Sequence, residues 1–161
     1  MSVQVSDYTA TLARKRMAAS VLFFDDGGRV LVVEPTYKPY WELPGGAVDA
    51  DESPYAAAQR EVREELALSR PVGRLLAVDW VPPRPDRTEG VVMVFDGGSL
   101  SADEVSALRL PPDELRGLAW CTAEEAAGRL SALLARRLVA ALAARESGEV
   151  AYLEDGNRYP A

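Results

Sequence analysis

The pattern of apolar residues in this chain predicts an α+β fold, one domain in which strands and helices share a core. Three observations carry that reading. Continuous apolar runs such as residues 17–24 (MAASVLFF) and 91–95 (VVMVF) have strand length and lie between turn signals. Ser53-Pro54 joins a strong N-cap to the residue best tolerated at the first helical position, just ahead of a helix-forming segment. Leu130, Leu133, Leu134, Leu138 and Leu142 recur at helical spacing near the end of the chain. With 161 residues, 48% hydrophobic and 27% charged, the chain suits a single domain spanning 1–161, and it shows no internal repeat or linker.

Each element follows from its residues in turn. Residues 17–24 form a buried strand; Asp25-Asp26-Gly27-Gly28 is a turn, and residues 29–33 (RVLVV) return as the second strand of a hairpin. Residues 37–46 (YKPYWELPGG) are a loop, punctuated by Pro39, Pro44, Gly45 and Gly46. A helix runs over residues 54–66. Residues 72–81 (VGRLLAVDWV) are a strand ended by Pro82 and Pro83, and the loop after it leads into the strand at 91–95. Residues 115–121 make a last short strand. Residues 122–146 form one or two Ala- and Leu-rich helices, which either cover the sheet or pair with a second subunit in a homodimer. The tail beyond Gly148 adds an edge strand or stays loose.

Composition narrows the chemistry. Cys121 is the lone cysteine, so stability rests on the core, and a reducing, cytoplasmic compartment is expected. No run of about 18 apolar residues is present. The N-terminal stretch MSVQVSDYTATLARKRM lacks the charged-then-apolar order of a secretion signal, so no membrane partner is expected. A net charge of −7 argues against a nucleic-acid polymer, which calls for a basic face. The chain has no histidine. That excludes His bases and His metal ligands, leaving Glu, Asp, Lys, Tyr or water to move protons. Lysine is reduced to Lys15 and Lys38.

The helix at 54–66 concentrates acid. At about 100° per residue, Glu61 at zero puts Glu65 near roughly +40° and Glu64 near roughly −60°. Tyr55, Ala58, Val62 and Leu66 form the adjoining apolar stripe, and Ala57 lies one turn before Glu61. Glu61 and Glu65 are like charges four apart, which costs a few tenths of a kcal/mol. Solvated helix faces usually alternate acids with bases, whereas convergent carboxylates are what a hard cation such as Mg²⁺ seeks. Such an ion bridges an acidic protein to a phosphate.

The spacing adds a second argument. Gly46, Glu52 and Arg60-Glu61-Val62-Arg63-Glu64-Glu65-Leu66-Ala67-Leu68 resemble the box that marks the Nudix hydrolases. Ala67 stands where that family usually has glycine, and Trp41-Glu42-Leu43-Pro44-Gly45-Gly46 resembles the family's approach to the box. The resemblance covers most of the chain and implies an α/β/α sandwich around a mixed β-sheet. It also implies that Glu61, Glu64 and Glu65, with the Gly45 carbonyl, hold Mg²⁺ or Mn²⁺. Glu61 is then a candidate general base, and Arg60 pairs with Glu52 to brace loop against helix and orient the catalytic glutamate. Gly46 opens the box. Ala67 costs about 1 kcal/mol if the helix end is left-handed. Glu114, six residues before Trp120 with Asp113 beside it, matches a further acid that members carry as ligand or base.

Substrate identity is less legible. Pro83 lies where ADP-ribose-type members carry a proline, though Pro82 and Pro85 flank it. Arg84 and Arg87 can meet a phosphate, and Tyr37, Tyr40, Trp41 and Trp80 can stack on a base; a solvated loop and ordinary packing are the plainer alternatives. The expected substrate is a small nucleotide or organic diphosphate, with nucleoside diphosphates linked to another moiety, such as ADP-ribose or a sugar nucleotide, ahead of nucleoside triphosphates. A silent ligand-binding module of the same fold would be expected to lose box acids, and all are present. A diphosphate isomerase on this fold would call on a cysteine, here only Cys121.

Overall fold

In β1 (Arg16–Phe24) both faces are buried, so the strand needs a layer of cover on each side. The computed structural model, which describes residues 6–161, supplies both. Residues 1–5, part of the stretch read for a secretion signal and of the 1–161 domain, lie outside the described residues. Ala19, Val21 and Phe23 pack toward one layer, Leu22 and Phe24 toward the other. The first layer is built on α2 (Pro54–Leu66), the second on α4 (Ala123–Arg129) and α5 (Ala132–Ser147). Among the described residues no helix is long and apolar enough to cross a membrane.

The sheet between them is mixed. Its order is β6 (Leu115–Cys121), β2 (Val30–Pro35), β1, β5 (Gly90–Ser99), β4 (Leu75–Val81), β7 (Ala151–Glu154) and β8 (Asn157–Arg158), with β3 (Gly45–Ala47) paired onto β1. β1 runs parallel to β5 and β4 parallel to β7; the remaining pairs are antiparallel. The expected hairpin is present but splayed: β1 and β2 meet only at Phe24 and Val30. The chain at 41–47 fills the gap. Val33 and Glu42 exchange backbone hydrogen bonds of 2.8 and 2.9 Å, and the Val21 N–H donates to the Pro44 carbonyl at 2.9 Å. Residues 45–47 therefore become strand β3 rather than the end of the expected loop, because they complete a ladder that β2 has abandoned.

The helix at 54–66 has the expected bounds. Ser53 accepts from the Ala56 N–H at 3.1 Å, and Ala67 closes the helix with φ 55°. Ala57, Ala58, Val62 and Leu66 are buried. Tyr55 departs from the expected buried stripe and lies at its margin. Its ring meets Phe95 edge-on at 5.7 Å, and its hydroxyl donates to the Val72 carbonyl at 2.6 Å. Two short helices were not expected, α1 (Asp7–Thr11) and α3 (Ala102–Ala107). The expected strand at 72–81 starts three residues late, at Leu75. The strand at 91–95 is longer at both ends. Of the two readings of the C-terminal helices, α5 covers the sheet, burying Leu138, Ala140, Ala141 and Ala144. The tail takes the edge-strand alternative, as β7 and β8.

Candidate active site

The splay of β1 from β2 brings β3 beside α2, and Glu61 and Glu65 in the second half of that helix meet the two glycines there. Gly45 adopts φ 146°, and a Cβ on it would stand 2.1 Å from the Ala19 carbonyl oxygen. A Cβ on Gly46 would stand 2.5 Å from Glu61 Oε1. Neither position has room for a side chain. With the backbone this close, the Gly45 N–H donates to Glu65 Oε2 at 2.9 Å.

Arg60 ties the cluster together. Its Nε and Nη2 each donate to Glu52 at 2.9 Å, a two-pronged pair, and Nη2 also reaches the Ala47 carbonyl at 3.0 Å. Its Nη1 donates to Glu61 Oε1 at 2.7 Å and to Glu64 Oε2 at 3.2 Å. Arg60 thus braces the loop against the helix, as its pairing with Glu52 implied, and it also faces two of the acids. Those hydrogen bonds hold the Glu52 carboxyl down at about 2 and raise the Arg60 guanidinium above its usual range.

Glu65 sits differently. It is 8% exposed, and burial pushes its carboxyl up to about 8 against the Gly45 N–H, with Glu61, Glu42 and Glu114 adding repulsion. Burial also raises Glu61, opposed by Arg60 and reinforced by Glu64 and Glu114. Glu42 is paired with Lys38. Among the described residues neither Glu65 nor Glu114 has a cationic partner, so negative charge is in surplus here. The donor set, carboxylate oxygens and a main-chain carbonyl, has the chemistry of a hard divalent cation. Among the described residues no three acidic groups are gathered tightly enough to hold an ion as they stand; Arg60 takes one oxygen each from Glu61 and Glu64.

A cleft of about 240 Å³ opens on the α5 side of the sheet, beside the two glycines. Ser20 and Val92 help to floor it, Leu134 and Arg137 of α5 wall it, and Arg87 lines it. The other residues expected at the substrate divide. Tyr37, 72% exposed, lies beside the acids: partial burial and then Glu42, Glu65, Glu114 and Glu61 raise its hydroxyl. Trp41 does not line the cleft. Its ring lies under the Arg129 guanidinium at 4.6 Å, and its backbone N–H donates to the Arg129 carbonyl at 3.2 Å, so it docks α4 onto the sheet. Arg84 also points elsewhere, donating to Asp155 Oδ1 at 2.7 Å. Tyr40 is exposed, and Trp80 Nε1 donates to Glu89 at 2.7 Å.

Sequence reasoning missed three residues here. Glu42 stands in the quoted lead-in to the glycines but had no role; its effect on Glu65 comes from folding across residues 41–47. Asp79 and Arg137 form a buried pair, Arg137 Nε to Asp79 Oδ2 at 2.7 Å. Their partnership spans 58 residues, and no local signal announces it.

Residues 14–142 match the NUDIX domain. A MutT-like protein of Streptomyces ambofaciens is 30% identical over 125 residues, 77% of this chain and 74% of that one. A putative 8-oxo-dGTP diphosphatase of Bacillus subtilis (strain 168) is 30% identical over 102 residues, 63% of each chain. The chain thus spans about three quarters of the first relative and just under two thirds of the second. In overall fold it is similar to the MutT protein of Methanosarcina mazei Go1, with a TM-score of 0.68 at 23% identity, covering 86% of this chain and 99% of that one.

Proposed function

The chain belongs to the NUDIX domain family and is a Nudix hydrolase, and from that premise we propose that it cleaves the diphosphate linkage of a nucleoside diphosphate joined to another moiety. The observation that carries the reading is negative charge at Glu65 and Glu114 with no cationic partner among the described residues, joined to an open cleft through Gly45, which lines the cleft and donates to Glu65. Such a site favours a divalent cation, and with it a substrate whose own charge needs one.

Family members work with divalent metals. Glu61, Glu64 and Glu65, with the Gly45 carbonyl, are the groups that would hold Mg²⁺ or Mn²⁺ here. The bound ion would offset charge on the phosphoryl oxygens and lower the pKa of a water. The protein's own part is positional and protonic. Gly45 and Gly46 let the backbone lie against Glu65 and Glu61. Arg60 fixes Glu61 and favours its charged, proton-accepting form, and Glu114 is the second acid able to take a proton. Arg87 lies where a phosphate or sugar in the cleft would pass, and Tyr37 stands at the acidic end. The setting we propose is the cytoplasm, with soluble nucleotides as substrates.

One alternative stays in the test. The Bacillus relative's description as a putative 8-oxo-dGTP diphosphatase keeps nucleoside triphosphates on the panel. The isomerase alternative loses support because Cys121 is buried in the α5-side core. The test is a panel of sugar nucleotides, ADP-ribose and nucleoside triphosphates with Mg²⁺, products identified by ion exchange. A nucleoside monophosphate plus a phosphorylated second moiety supports the proposal. Pyrophosphate from triphosphates alone would replace it. Full activity in Glu64→Gln and Glu65→Gln variants would refute the metal assignment.

A further inference from the structure

Arg137 is buried, with 7% of its side chain exposed, and its partner Asp79 is wholly buried. Only Arg137 Nε is engaged, by Asp79 Oδ2 at 2.7 Å. Among the described residues its two terminal nitrogens donate to no protein atom, and the side chain lines the cleft. Asp79 is occupied on both sides, since Oδ1 accepts the Gly156 N–H at 3.0 Å. The pair is therefore neutral, with two parallel N–H donors presented to the cleft and no acceptor supplied by the protein. Among the described residues no buried side-chain nitrogen lacks a partner, so these two stand open to the cleft, where water or a ligand meets them.

The occupant's chemistry follows. A phosphate or carboxylate at these nitrogens would place a second anion beside the buried Asp79 carboxylate, with one guanidinium between them. A neutral edge carrying two adjacent acceptors satisfies the fork without that repulsion. Guanine presents such an edge in O6 and N7, whereas adenine sets an amino donor in place of O6. Position agrees. Asp79 is in register with Val92, Val92 with Ala18 and Ala18 with Ala47. At about 4.8 Å per strand, β4 lies roughly 14 Å from β3 and its glycines. Arg137 and the two glycines line the same cleft.

We infer that Arg137 selects guanine over adenine, gripping O6 and N7 at the inner end of the cleft while the diphosphate lies at the acidic end. The inference rests on the nucleotide-hydrolase reading and narrows its substrate class to guanine nucleotides. Arg137 is a specificity residue with no part in the bond cleavage.

The experiment compares GDP with ADP by titration calorimetry, and GDP-glucose with ADP-glucose by kcat/KM, in the full-length protein and its Arg137→Lys variant. Lysine keeps a charge for Asp79 but loses the planar fork. Wild type is expected to favour the guanine compounds about ten- to a hundredfold. Arg137→Lys should erase that advantage, bringing the guanine-to-adenine ratio to about one. A probe that needs no variant is 7-deaza-GDP, which lacks N7 and should bind wild type about tenfold more weakly than GDP. Equal affinity for GDP and ADP overturns the inference, as does an undiminished guanine preference in folded Arg137→Lys. A guanine preference lost in Arg137→Lys, without cleavage of either sugar nucleotide, upholds the base site and overturns the proposed reaction. Cleavage of both at equal rates does the reverse.

Discussion

Replacing Glu65 by glutamine tests whether the acidic site is built to be filled. In the folded, metal-free protein the Glu65 carboxyl titrates at about 8, against 4.5 for an ordinary glutamate. A raised value means the folded state holds the proton longer than the unfolded one. The stabilisation is therefore complete below about pH 4.5 and gone above about pH 8. Each pH unit between those limits costs about 1.4 kcal/mol, so the full loss is roughly 4 to 5 kcal/mol. Glutamine does not titrate and keeps an oxygen for the Gly45 N–H. The assay is urea unfolding of both proteins with chelator present, at about pH 5 and about pH 9. At about 2 kcal/mol per molar urea, wild type should lose roughly 2 M more in midpoint than Glu65→Gln. The difference measures Glu65 together with its repulsion of Glu61. Millimolar Mg²⁺ should restore wild type at the higher pH by binding the folded state, and leave the variant where it was. Equal pH slopes in the two proteins would refute the reasoning.

Other substitutions separate folding from chemistry. Gly46→Ala pushes a methyl onto Glu61 Oε1 and should cut kcat at least tenfold with little change in Tm, whereas Gly45→Ala strikes the Ala19 backbone and should lower Tm sharply; melting curves and steady-state rates distinguish them. Arg60→Lys cannot serve Glu52, Glu61, Glu64 and the Ala47 carbonyl together, so calorimetry should show melting several degrees lower and kinetics a reduced kcat. Ala67→Gly relieves a left-handed alanine at φ 55° and should add about 1 kcal/mol, or roughly 3 °C in Tm.

What was legible beforehand was local. Ser53 and Pro54 set the start of α2 because a cap and a fixed φ act within one turn, and the short strand expected at 115–121 is β6. The pairing of Arg60 with Glu52 and the left-handed end at Ala67 followed from the box. The same local logic was available for α3, whose Ser101 and Glu104 form a capping box, and it went unread. The rest was decided by distant partners. Residues 45–47 became a strand because β1 and β2 splay; Trp41 went to Arg129 and Arg84 to Asp155, and neither lines the cleft. Arg60's contact with Glu61 and Glu64 depended on rotamers, which spacing does not specify.

The NUDIX match ends at residue 142 and the residues lining the cleft fall within it, yet one support of the cleft wall comes from beyond. Gly156, in the turn between β7 and β8, donates the hydrogen bond that occupies the far side of Asp79. The appended hairpin is thus a backstop to the pocket wall, remote from the acids that define the reaction. Changing the tail would remove that support from Asp79, and through it from Arg137 in the cleft wall. This division offers divergence, or an engineer, a handle on selectivity at a distance from catalysis.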